Sequence, residues 1–332
     1  MSMNKLTELV NKFSDARITV LGDLVIDEYI FGSPERISRE APVLIIREDE
    51  RDVRLGGAGN VVANIRALGG RPRPVGLIGA DDVGEQLMDL MANLGIDAEG
   101  VMVDPGRFTT TKTRVLGGGR NTVRQQMVRI DRQSNTQVDP SIRTILVEHL
   151  KRALEGADAL VVSDYAEGVV EVELFDEVMR IIKEKAIPVF VDSRHRIEHF
   201  MGADTLVPSE PELFGASKLN VATEEGLEKA GRWLLQISQC GAAMVKRGKK
   251  GVALFIPDRP TLKVPAYGPE EVADRTGAGD TVLAAYSLSR SVGAEPEDAL
   301  RVANTAGGIS VTKSGTAVVN AAELRRALEG VC

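Results

Sequence analysis

Cysteine is nearly missing: Cys240 and Cys332 are the only two in 332 residues, and they form no C-x-x-C pair. That excludes a disulfide framework or thiolate metal cluster and reads as a reduced, cytoplasmic protein. Histidine is scarce too, since His149, His195 and His199 give few options for a His-dependent nucleophilic triad. The i, i+4 spacing of the last two would suit a metal on a helix, but no H-E-x-x-H surrounds them and no third ligand is evident. No run of about 18 apolar residues is available to span a membrane. Residues 1–17 place Leu6, Leu9, Val10 and Phe13 on one helical face and lack the apolar centre of a signal peptide. Positive charge is in deficit, 41 Lys and Arg against 48 Asp and Glu, which argues against a nucleic-acid or anionic-membrane partner while allowing a local basic pocket.

Familiar nucleotide fingerprints are missing as well. Gly57-x-Gly59 and Gly277-x-Gly279 are followed by Val62 and Val282 where G-x-G-x-x-G needs its third glycine. Gly248-Lys249 is followed by Lys250, so there is no P-loop, and no G-x-S-x-G elbow occurs.

What is present is a chain of 43% hydrophobic residues and 33 glycines, enough for one large α/β layer system with a small appendage. Residues 17–22 form an apolar strand, and Asp27 falls on the loop beyond it, where an open α/β sheet binds ligands. A short strand follows at 44–46, then a charged stretch, and Gly56-Gly57-Ala58-Gly59-Asn60 opens a helix through Leu68. Strand 75–79 and helix 82–94 begin an alternation that resumes with helices 141–154, 172–185 and 224–239 and strands 159–163, 187–192, 205–207, 242–246 and 252–256. Residues 109–116 and 123–130 interrupt it, alternating like antiparallel strands around Gly117-Gly118-Gly119. Helices at 278–292, 296–311 and 321–328 close the chain. The expected fold class is α/β: a doubly wound central sheet flanked by helices, in a single domain over 1–332, with a small β-sheet lid from about 28–47 and 108–131.

Chemistry concentrates at Asp274-Arg275-Thr276-Gly277-Ala278-Gly279-Asp280, just ahead of the apolar helix. Gly277, Ala278 and Gly279 carry little side chain, so their N–H groups can converge on an anion at a positive helix end. Asp280, in the first turn, could take a proton from a hydroxyl while those amides hold phosphoryl oxygens. Taken alone, the same four residues read equally well as a Gly-rich turn with an N-terminal helix Asp.

Both Gly motifs together, in this order, resemble the ribokinase-like, pfkB-type carbohydrate kinases along nearly the whole chain. That resemblance implies ATP as donor, Asp280 as base and Gly277, Ala278 and Gly279 as anion hole. It also implies sugar hydroxyls at Asp27, Gly56, Gly57 and Asn60, with a loop-capping Asp27 and a helix-start Asn60 as the lesser alternatives. The family's N-x-x-E, which organises Mg2+ and phosphates, corresponds to Ser209-Glu210-Pro211-Glu212, with Glu212 the metal candidate and Glu210 an alternative. Lys246, Gly248, Gly251 and Asn304 match nucleotide-side positions, as Ser209 does; Lys249 and Lys250 read as well as a solvated basic turn.

Within the family the chain is most similar to the heptose 7-phosphate kinases of ADP-heptose synthesis. The residues are Asp27-Glu28-Tyr29, Thr111-Lys112-Thr113-Arg114, Gln125-Gln126, Arg129-Ile130-Asp131 and Ser163-Asp164-Tyr165, among others. Arg39, Glu167 and Arg194 depart from that group, which usually has Pro, Lys and Lys there. The resemblance therefore implies a sugar kinase acting on a small-molecule sugar or sugar phosphate, with heptose 7-phosphate at O1 one acceptor and a ketoacid sugar or nucleoside still open. The competing class is a sugar-binding regulator that lost turnover, motivated by Ser209 and the altered loops. Bifunctional members also carry a nucleotidyltransferase domain with H-x-G-H; none is present through Cys332, so nucleotidyl transfer is not expected. Open lid edges favour a homodimer.

Overall fold

A computed structural model describes residues 4–118, 124–134, 137–269 and 273–330. Cys332 and Gly119 lie outside them, as does Val123, where the second lid strand was expected to begin. In chain order the elements are α1 (Asn4–Asn11), β1 (Arg17–Gly22), β2 (Leu24–Ile37), β3 (Leu44–Gly57), α2 (Ala58–Ala67), β4 (Arg71–Gly79), α3 (Asp82–Asn93), β5 (Val101–Asp104), β6 (Thr110–Gly117) and β7 (Gln125–Arg132). There follow α4 (Pro140–Ala153), β8 (Ala159–Asp164), α5 (Val172–Lys185), β9 (Val189–Ser193), β10 (Thr205–Leu206), α6 (Glu210–Ser217) and α7 (Glu224–Ser238). Last come β11 (Ala242–Lys246), β12 (Val252–Phe255), β13 (Leu262–Val264), α8 (Ala278–Ser291), α9 (Pro296–Ser310) and α10 (Ala321–Glu329).

The central sheet runs β13-β12-β11-β10-β9-β8-β1-β4-β5, all in one direction except β12, which is antiparallel to both of its neighbours, β11 and β13. Its strands read as unbroken apolar runs because both faces are covered. Along β8, Ala159 and Val161 pack into the core shared with α2, α8 and α9, while Leu160 and Val162 pack into the one shared with α4, α5 and α7. The same alternation repeats along β11, with Ala242 and Met244 on one side and Ala243 and Val245 on the other. Pro72 and Pro74 are tolerated in β4 because β5 pairs only from Gly76 onward, leaving that flank without a ladder to feed. No helix among the described residues is long and apolar enough to cross a membrane.

The order β4-β1-β8-β9 contains the topological switch point. From β1 the chain winds outward through β4 and β5 with α2 and α3 on one face, then crosses back by α4 and winds the other way from β8. Helices therefore diverge between the carboxyl ends of β1 and β8, which opens a crevice there.

A second sheet, β3-β2-β6-β7, stands over this end. It is more extensive than the sequence pattern indicated. Asp27 lies on β2 and not on a loop, and the charged residues 47–54 belong to β3, where both faces of an edge strand can be wetted. Gly56 and Gly57 end β3, so α2 begins only at Ala58. The expected bounds 28–47 and 108–131 become strands over 24–57 and 110–132. Strands β5 and β13 and helix α6 were not foreseen; the two strands are three or four residues long, too short for a periodic signal.

Candidate active site

Asp280 enters the first turn of α8 and is buried, 3% exposed, at the floor of a cleft of about 1260 Å³ between the two sheets. The helix starts there because Gly277 adopts a left-handed φ of 78° as N-cap. A Cβ on Gly277 would lie 2.5 Å from Asn60 Nδ2, so the position requires glycine twice over. Both carboxylate oxygens are held: Asn60 Nδ2 donates to Oδ2 at 2.7 Å and the Tyr165 hydroxyl to Oδ1 at 2.6 Å. Burial raises the Asp280 pKa above the usual carboxylate range, against the pull of Tyr165, Asn60 and Lys246.

The loop before α8 is pinned by Asp274. Its Oδ1 accepts from Thr276 N at 2.9 Å and its Oδ2 from Gly315 N at 2.9 Å, tying it to residues 313–316. Of the three expected anion-hole residues, all line the cleft, but the Ala278 N–H also reaches the Arg275 carbonyl at 3.3 Å. The helix end is thus partly satisfied within its own turn.

A cluster of opposite charges sits beside residues 277–279. Lys246, at the end of β11, donates to Asp192, at the end of β9, and its Nζ would lie 3.3 Å from a Cβ on Gly279. Burial pushes the Asp192 carboxyl up to about 7, with Lys246 opposing and Glu212 and Asp280 adding to the rise. Burial also works against the Lys246 charge, yet Asp192 and Glu212 outweigh it and raise its pKa. A lysine flanked by three carboxylates stays charged.

Ser209 and Glu212 turn out to be partners. Ser209 caps α6, its Oγ accepting from Glu212 N at 3.4 Å, and Glu212 Oε2 accepts from Ser209 N at 2.5 Å. This is a capping box, readable as S-x-x-E, and it accounts for the serine without reference to a ligand. Glu210, the alternative acid, pairs with Arg247 at 2.9 Å. Gly248, with a φ of 56°, and Gly251 line the cleft next to Asn304, whose Nδ2 donates to the Pro265 carbonyl at 2.8 Å.

On the side of the second sheet, Asp27 Oδ1 accepts from Arg114 Nη1 at 2.5 Å and faces the cleft with Gly57. Gly56 and Asn60 do not line it. Gly56 leaves room for the Asp27 carboxylate, which any Cβ would strike, and Asn60 is wholly buried behind Asp280. Their contacts are with other site residues.

Tyr165, which the sequence marks only through the resemblance at Ser163-Asp164-Tyr165, is a central residue of the site. Its ring lies under Arg194 at 4.3 Å and Lys112 at 5.2 Å, and Lys112 pairs with buried Glu167 at 3.0 Å. Asp23 holds this turn, accepting from Tyr165 N at 2.7 Å, Glu167 N at 3.2 Å and Val169 N at 3.0 Å. The sequence signal was the carboxyl end of an apolar strand, where such residues gather. His195 precedes the 3-10 turn Ile197–His199, so the two histidines do not share a helix face. Among the described residues no group of His, Cys, Asp and Glu has metal-binding geometry on its own.

Comparison with known proteins agrees with this arrangement. Residues 15–322 match the pfkB family carbohydrate kinases. The bifunctional protein HldE of Desulfatibacillum aliphaticivorans is 38% identical over 96% of this chain and 64% of its own length, and that of Geobacter sulfurreducens is 38% identical over 92% and 61%. The chain thus spans a little under two thirds of these curated relatives. Arabidopsis thaliana ribokinase, solved with ribose and ATP, superposes with a TM-score of 0.74 at 20% identity, covering 95% of this chain and 99% of that one. Escherichia coli phosphofructokinase-2, solved with potassium, gives 0.79 at 19% identity with the same coverage. The fold is ribokinase-like.

Proposed function

The chain belongs to the pfkB family of carbohydrate kinases, and from that premise we propose that it transfers the γ-phosphate of ATP to a hydroxyl of a phosphorylated sugar, heptose 7-phosphate at O1 being the acceptor its substrate side most resembles. The observation that carries this reading is Asp280, buried and oriented at the meeting point of the two halves of the cleft.

Asp280 accepts the proton of the acceptor hydroxyl as its oxygen attacks phosphorus in line. The backbone amides at 277–279 and the Lys246 ammonium face the charge that spreads over the transferred group. Asp27, paired with Arg114, orients sugar hydroxyls, while Arg194, also lining the cleft, offers its guanidinium fork to a phosphate on the acceptor; Arg129 lines the cleft too, but its Nε and Nη2 are held by Asp131. Gly248, Gly251 and Asn304 receive the nucleotide. Hard oxygen donors fit Mg2+ here: Glu212 keeps one oxygen outside its capping bond, and Asp192 lies near, which suits an ion held largely by water. When bound, that ion would neutralise phosphate charge. The second sheet covers the site as a lid and excludes water from the reaction.

The test is coupled ADP release with a panel of sugars, sugar phosphates, ketoacid sugars and nucleosides. A phosphorylated acceptor should give turnover, and Asp280→Asn should reduce it by about a thousandfold, the scale of general-base catalysis. Acceptor binding without any Asp280-dependent ADP would instead make the protein a sugar-binding regulator. We also infer a homodimer through the lid, whose outer strands β3 and β7 have open edges and whose Ile37, Val43, Met127 and Ile130 are exposed.

A further inference from the structure

We propose a second anion site at the opposite end of the central sheet, where Arg17, Arg66, Arg71 and Arg73 surround a cavity of about 480 Å³ that takes a small phosphorylated metabolite by its phosphate groups. The catalytic cleft lies at the carboxyl ends of β1 and β8; this cavity lies where β1 and β4 begin. Arg17 and Arg71 are register partners on these parallel strands, and Arg73 follows two residues on, toward the same face as Arg71. Pro72 between them fixes the strand backbone, so the pair is held apart before any ligand arrives.

Two of the guanidinium groups are fastened by carbonyls, which leave their charge in place. Arg66 donates Nε to the Leu94 carbonyl at 2.9 Å, and Arg73 donates Nη1 to the Glu155 and Ala153 carbonyls at 2.8 and 3.3 Å. These carbonyls end α3 and α4, so each contact doubles as a helix cap. Capping uses one nitrogen of each fork and leaves the others free. The Arg71 backbone N–H donates to the Ala16 carbonyl at 2.9 Å, but its guanidinium bonds to no described residue, which capping does not explain. Asp97 is the carboxylate on the lining, and Asp158 lies 3.6 Å from Arg17. Four guanidinium charges thus face two carboxylates, leaving two uncompensated in a chain of net charge −7. Converging planar forks with a surplus of two positive charges match a phosphate dianion.

The experiment is calorimetric titration of the full chain with inorganic pyrophosphate. Since the kinase cleft also attracts phosphate, the wild type is compared with Arg71→Gln, Arg66→Gln/Arg71→Gln and the cleft variant Lys246→Gln. The Arg71 side chain makes no bond to a described residue and a glutamine keeps the backbone one, so its replacement should leave the thermal melt and ADP release unchanged. A binding event that survives Lys246→Gln and weakens at least tenfold in the double arginine variant supports the site. Equal pyrophosphate binding by wild type and both arginine variants overturns it. So does sulfate binding as tightly as pyrophosphate, which would mark a generic ionic contact, or a single-stranded oligonucleotide displacing pyrophosphate, which would assign the cluster to a polymer.

Discussion

In its proposed role as base, Asp280 has its strength set by its neighbours. Removal from water favours its protonated form, while the Tyr165 hydroxyl and the Asn60 amide favour the carboxylate. The proposed mechanism needs the carboxylate, so activity should be present above its pKa and be lost as pH falls through it. In Tyr165→Phe one donor to the ionised form disappears, the pKa rises further, and the acid limb of kcat/KM should move to higher pH with the acceptor KM little changed. An unmoved limb alongside an intact fold would remove Tyr165 from this role. The same residue carries the stacked Arg194 and Lys112, so Tyr165→Ala should also raise KM for a phosphorylated acceptor.

Elements matter here through their ends. Helix α8 presents its amides only because Gly277 is left-handed and leaves Asn60 in place. Gly277→Ala therefore forces an alanine into a conformation that costs about 1–3 kcal/mol and presses its Cβ on the Asn60 amide. The expected result is a lower melting temperature together with loss of ADP release, since the displaced amide is the one that holds Asp280. Helix α6 depends on a different end. Ser209→Ala removes the capping hydroxyl and should cost about 1 kcal/mol by denaturant titration. Asn at the same position caps equally well, so Ser209→Asn should retain stability.

At the scale of the molecule, the second sheet reaches the catalytic loop through both of its long strands. Thr316 N donates to the Tyr29 hydroxyl at 3.0 Å from β2, and Arg54 of β3 donates to the Ser314 carbonyl at 2.7 Å. A displacement of this sheet would thereby act on residues 313–316, which Asp274 ties to the loop before α8. If two copies pair through this sheet, Ile130→Lys on the exposed β7 should give a monomer by sedimentation velocity, with the melt of the central sheet preserved. A variant that sediments as the wild type would place the contact elsewhere.

The amino-acid sequence by itself determined the parallel sheet, the two Gly-rich turns and Asp280. Each is a local matter: an apolar run covered on both faces, a residue without Cβ, a carboxylate one turn into a helix. S-x-x-E at 209–212 is equally local, but its likeness to N-x-x-E pointed to a metal role, and the capping box that opens α6 emerged only with the structure. What only the tertiary structure decided is which residues meet. Asn60 and Tyr165 converge on Asp280 from 220 and 115 residues away, Lys246 finds Asp192 across neighbouring strands, and Asp27 lies on a strand whose partners are fixed by pairing. Alternation along a chain specifies which face a side chain takes. It carries no information about the crossover that brings two strand ends together, because that contact is paid for by burial summed over both cores.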